Sequence, residues 1–209
     1  MQTGILKENI KTKKTAKFVI NFTSFFKIVF CIAILVNLQK NYMSKDIYGT
    51  ALLDYQNGNY TEDLITNSSI AEEDTMTLPY LFRSFKEMPV LEQTALKHCK
   101  GNILDLGAGA GSHSVYLQEK KQKTTAIDIS KGAIEVCQKR GIYNSYVQDI
   151  WTLENRFFDT ILALMNGTGI CGTLDKLAPF LLKLKSLLNP NGQILIDSSD
   201  IIYMYEDED

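Results

Sequence analysis

Residues 103–111 read Ile103-Leu104-Asp105-Leu106-Gly107-Ala108-Gly109-Ala110-Gly111, and this stretch decides the fold. A short apolar run leads into three alternating glycines, with one acid, Asp105, two residues before the first of them. The apolar run predicts a strand of a parallel sheet, buried on both faces, and the glycines predict a tight turn into a helix. Glycine serves where a backbone needs positive φ or lies against a ligand. A strand, a glycine loop and a helix in succession make a seat for a nucleotide-like cofactor.

Working outward, strands and helices alternate from residue 100. Residues 102–106 predict a first strand, 111–120 a helix and 124–128 a second strand. Ser130 is placed to cap a helix running to about Arg140, with Gly141 at its stop. Residues 145–148 predict a short third strand and 158–164 an apolar fourth. Behind Thr173, Leu174, Leu177, Phe180, Leu181, Leu184, Leu187 and Leu188 recur at helical spacing. Pro179 lies inside that pattern, which calls for a kink or a later start. Pro190-Asn191-Gly192 reads as a turn, and residues 193–197 as a fifth strand. Strands alternating with helices imply a parallel sheet covered on both faces, an α/β fold. Ahead of this core, residues 43–99 read as two or three helices. The last opens after Pro89, with Leu91, Ala95 and Leu96 facing inward and Gly101 at its end.

With 209 residues the chain is long enough for one domain plus appendages. Its 45% apolar content is that of a folded globular protein, and a net charge of −2 provides no basic field for nucleic acid. Cys31, Cys99, Cys137 and Cys171 are scattered, and His98 and His113 are the only histidines, so no metal site is expected. Scattered cysteines suit a reducing compartment, and a cytoplasmic location is expected. The N-terminus differs from the rest. Lysines crowd residues 1–17, and an apolar stretch with a signal-like pattern follows. Its uninterrupted part, Ile28 to Val36, is shorter than the roughly 20 residues that span a bilayer. Three readings stand: a gene start placed too early, with Met43 the initiator; a membrane anchor through residues 18–38 or an uncleaved signal; or a helical appendage. The expected division is therefore residues 1–42 as an extension, 43–99 as a helical cap and 100–209 as the cofactor-binding core.

In open parallel sheets the ligand lies at the carboxyl ends of the strands. Asp105, Asp128, Asp149 and Asn166 fall there. A carboxylate at Asp128 can accept from both hydroxyls of a ribose, or can cap the next helix. Asp149 can accept from an adenine amine with Ile150 packed on the ring, or can be an ordinary loop acid. The dinucleotide pattern Gly-x-Gly-x-x-Gly would put its third glycine at Ser112, and the Asp105 carboxylate would repel a pyrophosphate. A cationic ligand group suits this loop better. S-adenosylmethionine carries an ammonium and a sulfonium and no phosphate.

Residues 103–111, 124–130, 146–150 and 157–166 resemble, in order, the first four motifs of the class I S-adenosylmethionine-dependent methyltransferases. The resemblance covers roughly residues 80–200. It implies a three-layer Rossmann-like sheet with strand order 3-2-1-4-5, under a helical N-terminal cap, with S-adenosylmethionine as cofactor. It implies that Asp105, Gly107, Ala108, Gly109 and Gly111 hold the methionine part. Asp128 would bind the ribose with Ile129 against the adenine, and Asp149 and Ile150 would bind the adenine. Asn166 would line the site beside the transferred methyl. Residues 166–169, Asn-Gly-Thr-Gly, depart from the Asn-Pro-Pro-aromatic sequence of family members acting on planar nitrogens. The expected acceptor is a small molecule rather than a nucleic acid. The family sheet has seven strands, and this chain stops twelve residues after Asp197. The final 6/7 hairpin is therefore expected to be missing, the chain truncated, and strand 5 left as an apolar edge. No catalytic residue is assigned. His113 is a general base by type and position, or else a surface histidine of a first turn. Tyr48, Tyr55 and Tyr80 either shape the acceptor pocket or only pack. Two other readings are a nicotinamide-dependent oxidoreductase, opposed by Asp105 and Ser112, and a non-catalytic cofactor-binding remnant.

Overall fold

The computed structural model describes residues 17–20, 46–67 and 73–199. Six strands make one sheet in the order β1-β8-β7-β4-β5-β6: β1 (Lys17–Ile20), β4 (Asn102–Leu106), β5 (Lys123–Asp128), β6 (Ser145–Val147), β7 (Phe158–Ala163) and β8 (Leu188–Ile196). All of its pairings are parallel. A small antiparallel pair, β2 (Leu64–Thr66) and β3 (Asp74–Met76), stands apart. The helices are α1 (Ile47–Gln56), α2 (Leu78–Leu81), α3 (Val90–His98), α4 (Ser112–Glu119), α5 (Lys131–Lys139) and α6 (Leu177–Ser186). From residue 100 onward the strands follow the expected 3-2-1-4-5 order.

Side-chain alternation sends successive strand residues to opposite faces. Ile103 joins Leu96 of α3 and Leu117 of α4 on one face. Leu104 and Leu106 join Phe180 and Leu184 of α6 on the other. The central strand is thus apolar on both sides, which explains its unbroken hydrophobic run. Leu52 of α1 and Leu78 and Leu81 of α2 pack on Ala133 and Val136 of α5, so the cap sits directly above the glycine loop's neighbouring helix.

Four expectations are revised. The helix expected from Thr173 begins at Leu177, after a 3-10 turn at Leu174–Lys176. Pro179 thereby falls in the first turn, where its missing N–H costs no helical bond. Pro190-Asn191-Gly192 does not precede the fifth strand but lies within it. The β7–β8 register slips between Phe158↔Leu188 and Thr160↔Gln193, and Asn191 takes a φ of 64°. The bulge allows a proline inside a strand. In α3, Leu91 is 42% exposed and Glu92 takes the inward position. Finally, β8 is not the open edge. Residues 17–20, expected to lie outside the core, pair with it from Lys17↔Gln193 to Ile20↔Ile196. The rest of the extension, with nearly all of the anchor reading at 18–38, lies outside the described residues. No helix among the described residues is long and apolar enough to cross a membrane.

Candidate functional site

At the carboxyl end of β4 the chain reverses through Gly107, Gly109 and Gly111, with φ of 72°, 53° and 79°. The Gly107 and Ala108 amides both donate to the Ile127 carbonyl, at 2.9 and 3.1 Å, which folds the loop against β5. Gly111 opens α4, and a Cβ there would collide with Ile142 Cδ1 and Cys137 Sγ. A Cβ on Gly109 would lie 2.7 Å from the Tyr48 hydroxyl. The lid tyrosine therefore rests on the loop's backbone, at a place where only glycine lets it approach.

The predicted carboxylates occupy different environments. Asp105 is 2% exposed, beneath the loop, and accepts a 2.6 Å hydrogen bond from Ser114 Oγ. Burial pushes its carboxyl above the ordinary range, and the His113 charge and Ser114 hydrogen bonds offset this only in part. Asp128 ends β5 and is half-buried. Its Oδ2 accepts from the Gly109 amide at 2.9 Å and its Oδ1 from the Ser130 amide at 2.8 Å. Burial raises its carboxyl too, against the pull of those two amides. Asp128 thus braces the glycine loop and the start of α5 together. Each of its oxygens keeps a lone pair for a ligand. Beside it, Ile129 is 76% exposed.

Asp149 is exposed and accepts from the Trp151 amide at 2.9 Å, capping a 3-10 turn. Ile150 departs from expectation. It is 2% exposed and packs in the core with Leu104 and Ile127, so its side chain has no free face for an adenine ring. The 3-10 turn that follows Asp149 aims it inward. Asn166 lies at the end of β7 with a φ of 65°, directly after Met165 with a φ of 61°. Two consecutive left-handed residues that are not glycine store backbone strain. The Asp197 carboxylate holds them: Oδ2 accepts from the Met165 amide at 3.0 Å and Oδ1 from the Gly167 amide at 2.8 Å.

The cap is tied to the core by polar contacts that local sequence patterns do not reveal. Asp46 caps α1 through the Gly49 amide at 2.9 Å, and its other oxygen accepts from Ser130 Oγ at 2.8 Å and the Gly132 amide at 2.9 Å. Burial opposes ionisation of Asp46, but these hydrogen bonds prevail and hold its carboxyl below the ordinary value. Ser112, the residue that breaks the dinucleotide pattern, donates to the Leu81 carbonyl at 2.7 Å. Arg140 donates to the Ala110 carbonyl at 2.6 Å and the Phe82 carbonyl at 3.4 Å.

A buried ionic chain runs beside this seam. One terminal nitrogen of Arg83 donates to both Glu92 oxygens, at 2.6 and 2.5 Å, and His113 Nε2 meets Glu92 Oε2 at 2.8 Å. Burial works to raise the Glu92 carboxyl, but its bonds from His113 and Arg83 outweigh that and hold it low. His113 is therefore not a surface residue; it is buried in the first turn of α4 with a carboxylate partner. A separate cavity of about 350 Å³ opens on the opposite face of the sheet, between Leu104, Ile127, Val147 and Arg156. Among the described residues no three acids, histidines or cysteines gather as metal ligands.

A family model described as a methyltransferase domain matches residues 103–192. The chain is 44% identical to an S-adenosylmethionine-dependent methyltransferase from Bacteroides fragilis, solved with S-adenosylhomocysteine. The match covers 78% of this chain and 69% of that one, with a TM-score of 0.74. A sugar N-methyltransferase from Streptoalloteichus is a distant likeness, 16% identical over 57% of this chain and 50% of its own, with a TM-score of 0.48. No curated protein sequence matches the chain significantly.

Proposed function

Given that the chain belongs to the class I S-adenosylmethionine-dependent methyltransferases, with S-adenosylmethionine as its cofactor, we propose that it methylates a small-molecule acceptor. The acceptor would be held between the cap and the carboxyl edge of the sheet. The observation that carries this reading is the seam itself: Tyr48 on Gly109, Ser112 on Leu81, and Asp46 on α5 close the cap over the glycine loop. A closed seat suits an acceptor small enough to be surrounded.

In this reading Asp128 accepts from the ribose hydroxyls through its remaining lone pairs, and Ile129 offers an apolar face to the adenine. Asp149 takes the adenine amine, with the backbone of Ile150 rather than its side chain beside the ring. Gly107, Ala108, Gly109 and Gly111 cradle the methionine part, and Asp105 supplies negative charge beneath it. A buried carboxyl raised by desolvation fits a site that receives an ammonium. Asn166 and the strained turn border the methyl group.

When bound, S-adenosylmethionine supplies an electrophilic methyl on a sulfonium leaving group. The protein's part is to align the acceptor in line with that methyl and to exclude water. Incubating the full chain and a cell extract with cofactor labelled in its methyl group, then separating small molecules from polymers, tests the proposal. Label in the small-molecule fraction is expected; label confined to protein or nucleic acid would refute it.

A further inference from the structure

The Arg83–Glu92–His113 chain leaves one group without a partner. Arg83 is more than nine-tenths buried. One terminal nitrogen donates to the Tyr80 carbonyl at 2.6 Å, and the other serves Glu92. Its Nε is buried with no hydrogen-bond partner among the described residues. Burying a charged donor unpaired is costly, and native structures rarely do it without a reason.

The position of this donor is informative. The guanidinium lies over the Tyr80 ring at 4.0 Å, which fixes its plane. Its charge acts on the Tyr48 phenol, whose hydroxyl rests against Gly109. Through Glu92 it is joined to His113 in the first turn of α4, and His113 in turn acts on Asp105. Arg83 thus stands at the methionine end of the proposed cofactor seat. The amino-acid part of that cofactor carries an ammonium and a carboxylate. Asp105 answers the first. The second calls for a cation with a spare donor. Arg140, the other arginine at the loop, is already committed to backbone carbonyls.

We propose that Arg83 is the cation that reads the cofactor's carboxylate, its Nε–H donating to a carboxylate oxygen, while Glu92 and Tyr80 hold the guanidinium in place. The inference rests on the proposed placement of the cofactor along the glycine loop. It gives the ionic chain a purpose. Glu92 is a positioning residue that acts through Arg83, and the lid segment becomes part of the cofactor site.

Calorimetric titration of the full chain tests this with three ligands: S-adenosylhomocysteine, its decarboxylated analogue, and 5′-methylthioadenosine, which lacks the amino-acid part. Charge-assisted hydrogen bonds of this kind change affinity on the order of tenfold or more. The wild type should therefore prefer S-adenosylhomocysteine to the decarboxylated analogue by at least that factor. In Arg83→Lys and Arg83→Met the preference should shrink towards unity, with 5′-methylthioadenosine binding retained. Equal binding of the first two ligands by the wild type would overturn the inference without help from any variant. So would a preference that survives in both variants, or variants that lose all three ligands alike. If the wild type binds none of the three, the cofactor placement fails together with the inference.

Discussion

Gly132→Ala should destabilise the protein, although alanine is the better helix former. Gly132 is the second residue of α5 and has no positive φ, so the exchange alone would add up to about 1 kcal/mol of stability. The obstacle is α1. A Cβ on Gly132 would lie 2.5 Å from the carbonyl carbon and oxygen of Gly49 and 2.6 Å from its Cα. These are backbone atoms and cannot rotate away; the whole helix must lift. Such overpacking costs about 1–3 kcal/mol. Lifting α1 also stretches the Asp46 bonds to Ser130 and Gly132, and a lost cap costs about 1 kcal/mol more. The losses exceed the gain, for a net destabilisation of roughly 1–3 kcal/mol, or several degrees in Tm. Urea unfolding followed by the fluorescence of Trp151, the one tryptophan of the chain, measures it. A variant as stable as the wild type would mean that α1 does not seat on α5 through these paired glycines. The account of how the cap closes over the loop would then fail.

Asp46→Ala removes the cap of α1 and two anchors on α5, and thermal unfolding should show a loss of about 1–3 kcal/mol. An unchanged Tm would show the seam to be energetically idle. Asp197→Asn replaces one of two acceptor oxygens with a donor, so the strained Met165–Gly167 turn loses a bond. Faster hydrogen exchange at residues 165–168, with β4 unchanged, is expected; unaltered exchange would refute the clamp. The free Asp105 carboxyl is raised by burial, and an ammonium-bearing ligand requires it ionised. Lowering the pH from neutrality towards the ordinary carboxylate range should therefore weaken S-adenosylhomocysteine more than 5′-methylthioadenosine, because protonated Asp105 no longer attracts the ammonium. Equal losses by calorimetry would take Asp105 out of that role.

The order of the sheet was legible because apolar runs, glycine stops and the Ser130 cap are local signals. Asp105 and Asp128 could be located for the same reason: a strand's end is marked in its own sequence. What was hidden depends on contacts between distant segments. Asp46 meets Ser130 across 84 positions, and Ser112 reaches back 31 to Leu81. Glu92 looks like an ordinary surface acid of a helix until Arg83 and His113 are brought to it. Charge neutralisation by those partners lets Glu92 take an inward position one helical turn before Leu96, a place its residue type alone would give to an apolar side chain. The bulge at Asn191 was concealed by residues whose usual meaning is a turn, and Ile150 by a 3-10 turn whose direction the sequence does not specify.

The claim that the cofactor lies along the glycine loop and is gripped at the end of β5 is tested most directly by a crystal structure of the full chain with S-adenosylhomocysteine. The account predicts the ribose hydroxyls within about 3 Å of the Asp128 carboxylate and the amino-acid part over Gly107–Gly111. A ligand seated instead in the cavity between Leu104, Ile127 and Val147, or one leaving Asp128 untouched, would contradict it.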